Sequence, residues 1–193
     1  MRVIVILASG ASQRACDNKL AWMLPETKIT LLDRAIATAQ AVQDAKVFVA
    51  VSSAESPYAR IARNSGTQIL YCPNAAQGMG YTIADAIRQV PLQAYVCIFP
   101  GDMPWLSTQT LVALFEAAEQ CPAEASASSQ KRRAPACFGP RWHEALGALS
   151  GDVGARNLLA QIEDVVCVPV PELELRDVDR LEDLYFNGSD RAK

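Results

Sequence analysis

Histidine is nearly absent: His143 is the single one in a chain of 193 residues. That excludes multi-histidine metal sites and leaves any Ser-His-Asp triad hanging on one imidazole with no carboxylate at a suggestive spacing. The six cysteines (Cys16, Cys72, Cys97, Cys121, Cys137, Cys167) form no C-x-x-C pair, so zinc-binding spacing is missing too. Cys97 and Cys167 fall inside apolar runs, where a reduced core thiol is the expectation. No apolar run approaches the roughly 20 residues that a membrane-spanning helix needs. Residues 3–8 form an apolar run too short for a secretion signal, so the expectation is a cytoplasmic protein with reduced thiols. Charge is also lacking: a formal net charge of −3 and 20% charged residues leave no basic stripe for nucleic acid. Neither nucleic acid nor membrane is expected as a partner, and any anionic ligand must be attracted by a local loop.

Half of the residues are hydrophobic, and the length suits one domain able to bury about 70% of its unfolded surface. Short β-branched runs alternate with helical stripes, the pattern of an α/β protein with a mostly parallel sheet flanked by helices. Strands are predicted over residues 3–8, 46–51, 67–71 and 94–99, and helices over 31–42, 57–64, 79–89 and 108–120, with Gly66 ending the second helix. The last third is less regular. Residues 123–130 are small and polar and run into Lys131-Arg132-Arg133, which reads as a mobile loop or an edge strand. Beyond it come a strand over 134–138, helices over 142–148 and 153–161, a strand over 165–170, a closing helix over 180–186 and a frayed tail over 188–193. No linker or internal repeat divides the chain.

The first loop, Leu7-Ala-Ser-Gly-Ala-Ser-Gln-Arg-Ala-Cys-Asp-Asn-Lys-Leu20, leaves the carboxyl end of the first strand, where open α/β sheets bind ligands. Its small residues would let backbone N–H groups face an anion, while Arg14 and Lys19 supply cations. A solvated connector with two incidental cations fits the same residues. The dinucleotide fingerprint is excluded, since only Gly10 is present, and so is the P-loop, since Asn18 precedes Lys19 and Leu20 follows it. Further along, Gly78 and Gly80 could let backbone approach a ligand, and Thr82 could cap the helix that follows, whose N-terminus attracts anions. Phe99-Pro-Gly-Asp-Met-Pro-Trp-Leu106 sets Asp102 at the sheet's carboxyl edge between two prolines. A carboxylate there suits Mg²⁺, or else it is a turn residue bonded to its own backbone.

The first loop resembles the L-A-x-G-x-S-x-R-M-G-x-x-K-L signature of the MobA-like NTP transferases, with Ala15-Cys16 in place of Met-Gly. Ala11-Ser12 and Lys19-Leu20 are closer to the molybdenum cofactor cytidylyltransferase branch than to the guanylyltransferase branch. Gly78-Met-Gly-Tyr-Thr-Ile83 resembles the family's G-M-x-x-S-L element, and Gly101-Asp-Met-Pro104 its G-D-x-P metal motif. Ala134-Pro-Ala-Cys-Phe138 resembles an x-P-x-x-F strand, and Gly151-Asp-Val-Gly-Ala-Arg156 the G-D-x-G-A-R element of the cytidylyl branch. Arg176-Asp-Val-Asp-Arg-Leu-Glu-Asp183 resembles the D-[IV]-D-T-P-E-D ending, with Arg180-Leu181 replacing Thr-Pro.

The resemblance implies a Rossmann-like, nucleotide-diphospho-sugar transferase fold, with residues 1–122 as nucleotide-binding half and 123–187 as acceptor subregion, where Lys131-Arg132-Arg133 would attract a pterin phosphate or else form a solvated loop. It implies Mg-dependent transfer of CMP from CTP to the terminal phosphate of molybdopterin or its molybdenum form. Arg14, Lys19 and Asp102 would be catalytic. Leu7, Ala8, Gly10, Ala11, Ser12, Arg14, Lys19, Gly78 and Thr82 would bind nucleotide, and Asp152 and Arg156 the acceptor. Asp102 and Asp179 would hold the metal, or Asp179 would simply cap the last helix. A molybdoenzyme that receives the cofactor is a further implied partner. Transfer to another phosphate acceptor, such as a sugar phosphate, fits the same loop and Asp102. A non-catalytic nucleotide- or cofactor-binding accessory role rests on the two departures.

Overall fold

Strand β1, Arg2–Leu7, is apolar at every central position because both of its faces are covered. Val3 and Val5 point into one core and Ile4 and Ile6 into the other, following the two-residue period of a strand. A computed structural model describes residues 1–9, 18–25, 27–129 and 132–185. The elements run β1, α1 (Leu31–Gln40), β2 (Ala45–Val51), α2 (Pro57–Asn64), β3 (Gln68–Tyr71), α3 (Met79–Ile87), β4 (Tyr95–Pro100) and α4 (Thr108–Gln120). They continue as β5 (Ala125–Ser128), β6 (Arg133–Phe138), α5 (His143–Gly147), α6 (Arg156–Gln161) and β7 (Val166–Val168). The expected order of elements holds throughout the first two-thirds, with no end shifted by more than two residues.

The seven strands form one sheet in the order β3-β2-β1-β4-β6-β5-β7. Strand β6 is antiparallel to both neighbours, and the remaining pairings are parallel. Helices α1, α2 and α4 pack on one face around Ile36, Leu114 and Phe115. Helices α3, α5 and α6 pack on the other around Ile83, Ile87, Leu146 and Leu159. Helix α1 starts in a reciprocal cap: Asp33 N–H donates to Thr30 Oγ1, and Thr30 N–H donates to the Asp33 carboxylate. Gly66 does end α2, in the left-handed conformation at φ +66°.

The last third corrects two expectations. Within the stretch expected as loop or edge, Ala125–Ser128 form β5, an interior strand buried at all four positions between β6 and β7. Its Ala-Ser-Ala-Ser sequence looks polar, but Ser126 Oγ donates to Leu114 O at 2.6 Å and small side chains let α4 lie close. The closing helix over 180–186 shrinks to a 3-10 turn at Leu181–Tyr185. Residues 186–193 lie outside the described residues. Among those described, no helix is long and apolar enough to cross a membrane.

Candidate functional site

Asp102 follows β4 directly, and the sheet holds it in place: Gly101 N–H donates to Leu7 O at 3.0 Å. Gly101 itself fits against Leu20, Leu32 and Ile6, so its missing side chain serves packing. The short 3-10 turn Lys19–Ala21 returns from the first loop and buries Leu20, which turns Lys19 toward Asp102. Lys19 Nζ donates to Asp102 Oδ2 at 2.7 Å and to Asp179 Oδ1 at 3.2 Å. Burial alone would lower the Lys19 pKa; Asp102, with help from Asp179, outweighs it and raises the value, so the amine stays charged.

The third strap of the site comes from far along the chain. Val178 N–H donates to the backbone carbonyl of Asp102 at 2.9 Å, which sets Asp177 and Asp179 on either side of that bond. Glu174 anchors the same segment, since its Oε2 accepts from Ser107 N–H at 2.9 Å and Thr110 Oγ1 at 2.6 Å. The Asp177 carboxyl is pushed up to about 6, first by desolvation and then by the charges of Asp102 and Asp179. Three carboxylates and one lysine thus share the carboxyl edge of β1 and β4. Asp102 Oδ1 is buried with no hydrogen-bond partner, an acceptor left open beside a cation. Among the described residues, no three His, Cys, Asp or Glu side chains are clustered as a ready metal cage.

Asp179 is corrected in one respect: it does not cap the last turn. Asp183 does that, accepting from the N–H groups of Asp179 and Arg180 at 2.9 and 2.7 Å, and the Asp179 carboxylate is free to meet Lys19. Thr82 is corrected as well. It lies inside α3, 3% exposed, and accepts from Ser9 Oγ at 2.9 Å, so Gly78 occupies the N-cap position and Thr82 instead ties α3 to the end of β1.

Gly78 and Gly80 are approached by the chain's own backbone. A Cβ on Gly80 would lie 2.5 Å from Ser150 O, and Gly80 N–H donates to Gly151 O at 2.7 Å. The turn at 150–152 therefore sits on the α3 N-terminus, and Asp152 Oδ1 would be 2.6 Å from a Cβ on Gly78. Arg156 is exposed at the start of α6, while Leu7 O and Ala8 N–H are both committed to neighbouring strands, to Gly101 and Ala50. Gly10, Ala11, Ser12, Arg14 and Lys131 lie outside the described residues. Within the basic run, Arg132 is structural: its Nη1 donates to Ile162 O at 2.9 Å, beyond the end of α6. Sequence reasoning missed Glu174, took Ser9 only as one of the first loop's small residues, and named Asp177 only as part of the segment 176–183.

The sequence model of a family described as MobA-like NTP transferase domain matches residues 4–165. No curated protein matches the chain. Among solved structures, the Rv0371c protein of Mycobacterium tuberculosis H37Rv is 21% identical, with a TM-score of 0.69 over 87% of each chain. A nucleotidyl transferase from Methanothermobacter thermautotroptrophicus is 15% identical, with a TM-score of 0.79 over 95% of this chain and 94% of its own. The 2-C-methyl-D-erythritol 4-phosphate cytidylyltransferase of Francisella tularensis is 14% identical, with a TM-score of 0.69 over 95% and 97%. At these identities the likeness concerns the fold.

Proposed function

The chain belongs to the MobA-like NTP transferase family, and from that premise we propose that it moves CMP from CTP onto the terminal phosphate of molybdopterin or its molybdenum form. The observation that carries the reading is Asp102, with one oxygen on Lys19 and the other buried and open at the sheet's carboxyl edge. The open carboxylate oxygen beside Asp179 fits a hard divalent cation, with the remaining ligands left to substrate phosphates and water. Asp102 and Asp179 would hold Mg²⁺, which when bound supplies charge neutralisation at the triphosphate.

The first loop, with Gly10, Ala11, Ser12 and Arg14, would hold the β- and γ-phosphates, and Lys19 would turn from its carboxylates toward them. An acceptor phosphate oxygen forms a new bond to the α-phosphorus; the bond from that phosphorus to the α,β-bridging oxygen breaks, and the oxygen leaves with pyrophosphate. The nucleophile is already ionised, so no general base is required, in keeping with a single histidine that bonds Ala94 O inside the core. What the residues supply is position and positive charge. The resemblance of residues 151–156 to G-D-x-G-A-R favours a pterin acceptor, with Asp152 and Arg156 facing it. In this reading the reaction is cytoplasmic, and its product passes to a molybdoenzyme.

Pyrophosphate release from CTP, GTP and ATP, each with Mg²⁺ and molybdopterin, tests the reading. Release is expected with CTP above the others and should fall to background in Asp102→Asn. Nucleotide binding without release in the wild type would instead make the protein an accessory that carries nucleotide or cofactor.

A further inference from the structure

Arg133 opens β6, the strand that runs against both of its neighbours, so its amino end meets the carboxyl edge of β4. The β4–β6 register pairs Val96 with Phe138, Cys97 with Cys137 and Ile98 with Ala136. Beyond Ala136 the strand bulges, since Ala127 pairs with Ala136 and the next residue, Ser128, with Arg133, so Arg133 stays at the amino end of β6 beside the carboxyl end of β4 that leads into Asp102. The backbone there is fixed, because Ser128 Oγ donates to the carbonyls of Arg133 and Ala134 at 2.9 and 3.1 Å.

The guanidinium is not fixed in the same way. Arg133 Nε is buried with no hydrogen-bond partner, and among the described residues Arg133 forms no ion pair. Arg132, next to it, hands its N–H groups to the carbonyls of Leu159, Ile162 and Glu163. The lack is therefore not shared by Arg132. The place of Arg133 follows from the sheet: β6 lies directly beside β4 and runs against it, so the strand end that carries Arg133 is at the carboxyl edge where Asp102 follows β4. A partly buried cation without a hydrogen-bonded counter-ion is costly, and a planar guanidinium fork matches a phosphate.

The two cations stand on opposite sides of β4. Lys19 meets Asp102 from the β1 side, and Arg133 belongs to β6 on the other side. In-line displacement puts nucleophile and leaving group on opposite sides of the phosphorus under attack. If Lys19 holds the departing phosphates, a cation on the other side of β4 faces the incoming one. We propose that Arg133 binds the terminal phosphate of the acceptor and holds it for attack. The assignment rests on the nucleotidyl-transfer reading above.

Inorganic phosphate serves as the probe, titrated calorimetrically into protein saturated with Mg²⁺ and a non-hydrolysable CTP analogue. Wild type should bind it, and Arg133→Met should weaken that binding on the order of 10- to 100-fold while affinity for the analogue stays within about twofold. Arg133→Lys, which keeps the charge without the fork, should fall between. Unchanged phosphate binding in Arg133→Met overturns the assignment. So does an equal loss of analogue affinity, which would give Arg133 to the triphosphate, and so does a wild type that takes the analogue but no phosphate. A wild type that fails to take the analogue defeats the parent reading at the first titration, and this proposal with it. Arg133→Met should melt no lower than wild type, since it removes an unsatisfied group. If it does not fold, Arg133→Lys decides: weaker phosphate binding alone supports the assignment, and no loss or an equal loss for both ligands refutes it.

Discussion

Lys19 sits between two carboxylates of unequal worth. Its side chain is 13% exposed and that of Asp102 17%, whereas Asp179 is 80% exposed. Removing one partner of a desolvated pair costs about 3–5 kcal/mol, while an exposed pair contributes about 0–1 kcal/mol. Asp102 is therefore the partner that matters. Lys19→Ala should weaken CTP binding by about 10- to 100-fold, as loss of a charged hydrogen bond would, and CMP binding far less. Equal losses for the two nucleotides in a calorimetric titration would remove Lys19 from the phosphate site. Asp177 works in the other direction. Its carboxyl is raised from 3.8 to about 6, so between those values the folded chain holds more protons than the unfolded chain. Stability therefore falls as pH rises through that window and stays lower above it. Asp177→Asn should melt above wild type at pH 7, and the gap should close below about pH 4. A gap independent of pH would mean that the carboxylate is not the cause.

At the scale of elements, α3 and the turn at 150–152 are fitted to each other through missing side chains. Gly80 lies within a helix, where alanine is ordinarily better by about 1 kcal/mol. Here its Cβ would meet Ser150 O, Ser150 C and Gly151 O at 2.5, 2.7 and 2.9 Å, all backbone atoms that cannot rotate away. Forced overpacking of this kind costs about 1–3 kcal/mol or more, so Gly80→Ala should lower the melting temperature, by about 2–4 °C per kcal/mol for a chain this long. An unchanged or higher melting temperature would show that the turn moves freely. Sequence reading picked out this glycine-rich stretch but expected a ligand where the chain's own turn lies. Nothing local to Gly78-Met-Gly80 says which of the two will approach. Asp102 was legible because an apolar strand ends directly before it and prolines stand on either side. Asp177 and Glu174 were not, because each takes its role from a distant partner, Val178 on Asp102 and Glu174 on Thr110; Arg133 was legible only as one cation of a basic run, since what separates it from Arg132 is the pairing of β6 with β4. Buried Ser126 and Ser128 misled in a similar way, since small polar residues read as loop until a helix carbonyl or a neighbouring strand is supplied to receive them.

For the whole molecule, the nucleotide-binding and acceptor portions share their cores. Cys137, Val168 and Leu175 complete the cluster around Phe115, and Phe138, Leu146 and Leu159 complete the one around Ile87. Residues 1–122 expressed alone would leave β4 as an uncovered apolar edge. That fragment should lack a cooperative thermal transition; a sharp transition close to that of the full chain would show the first portion to be self-sufficient. The bond from Val178 to Asp102 has a bearing on biosynthesis as well. As the polypeptide leaves the ribosome, β1 and β4 can pair and present Asp102 long before the segment carrying Asp177 and Asp179 has been translated. An unfinished chain displays the aspartate without its later companions, so a product truncated before residue 177 would not carry the assembled acidic cluster.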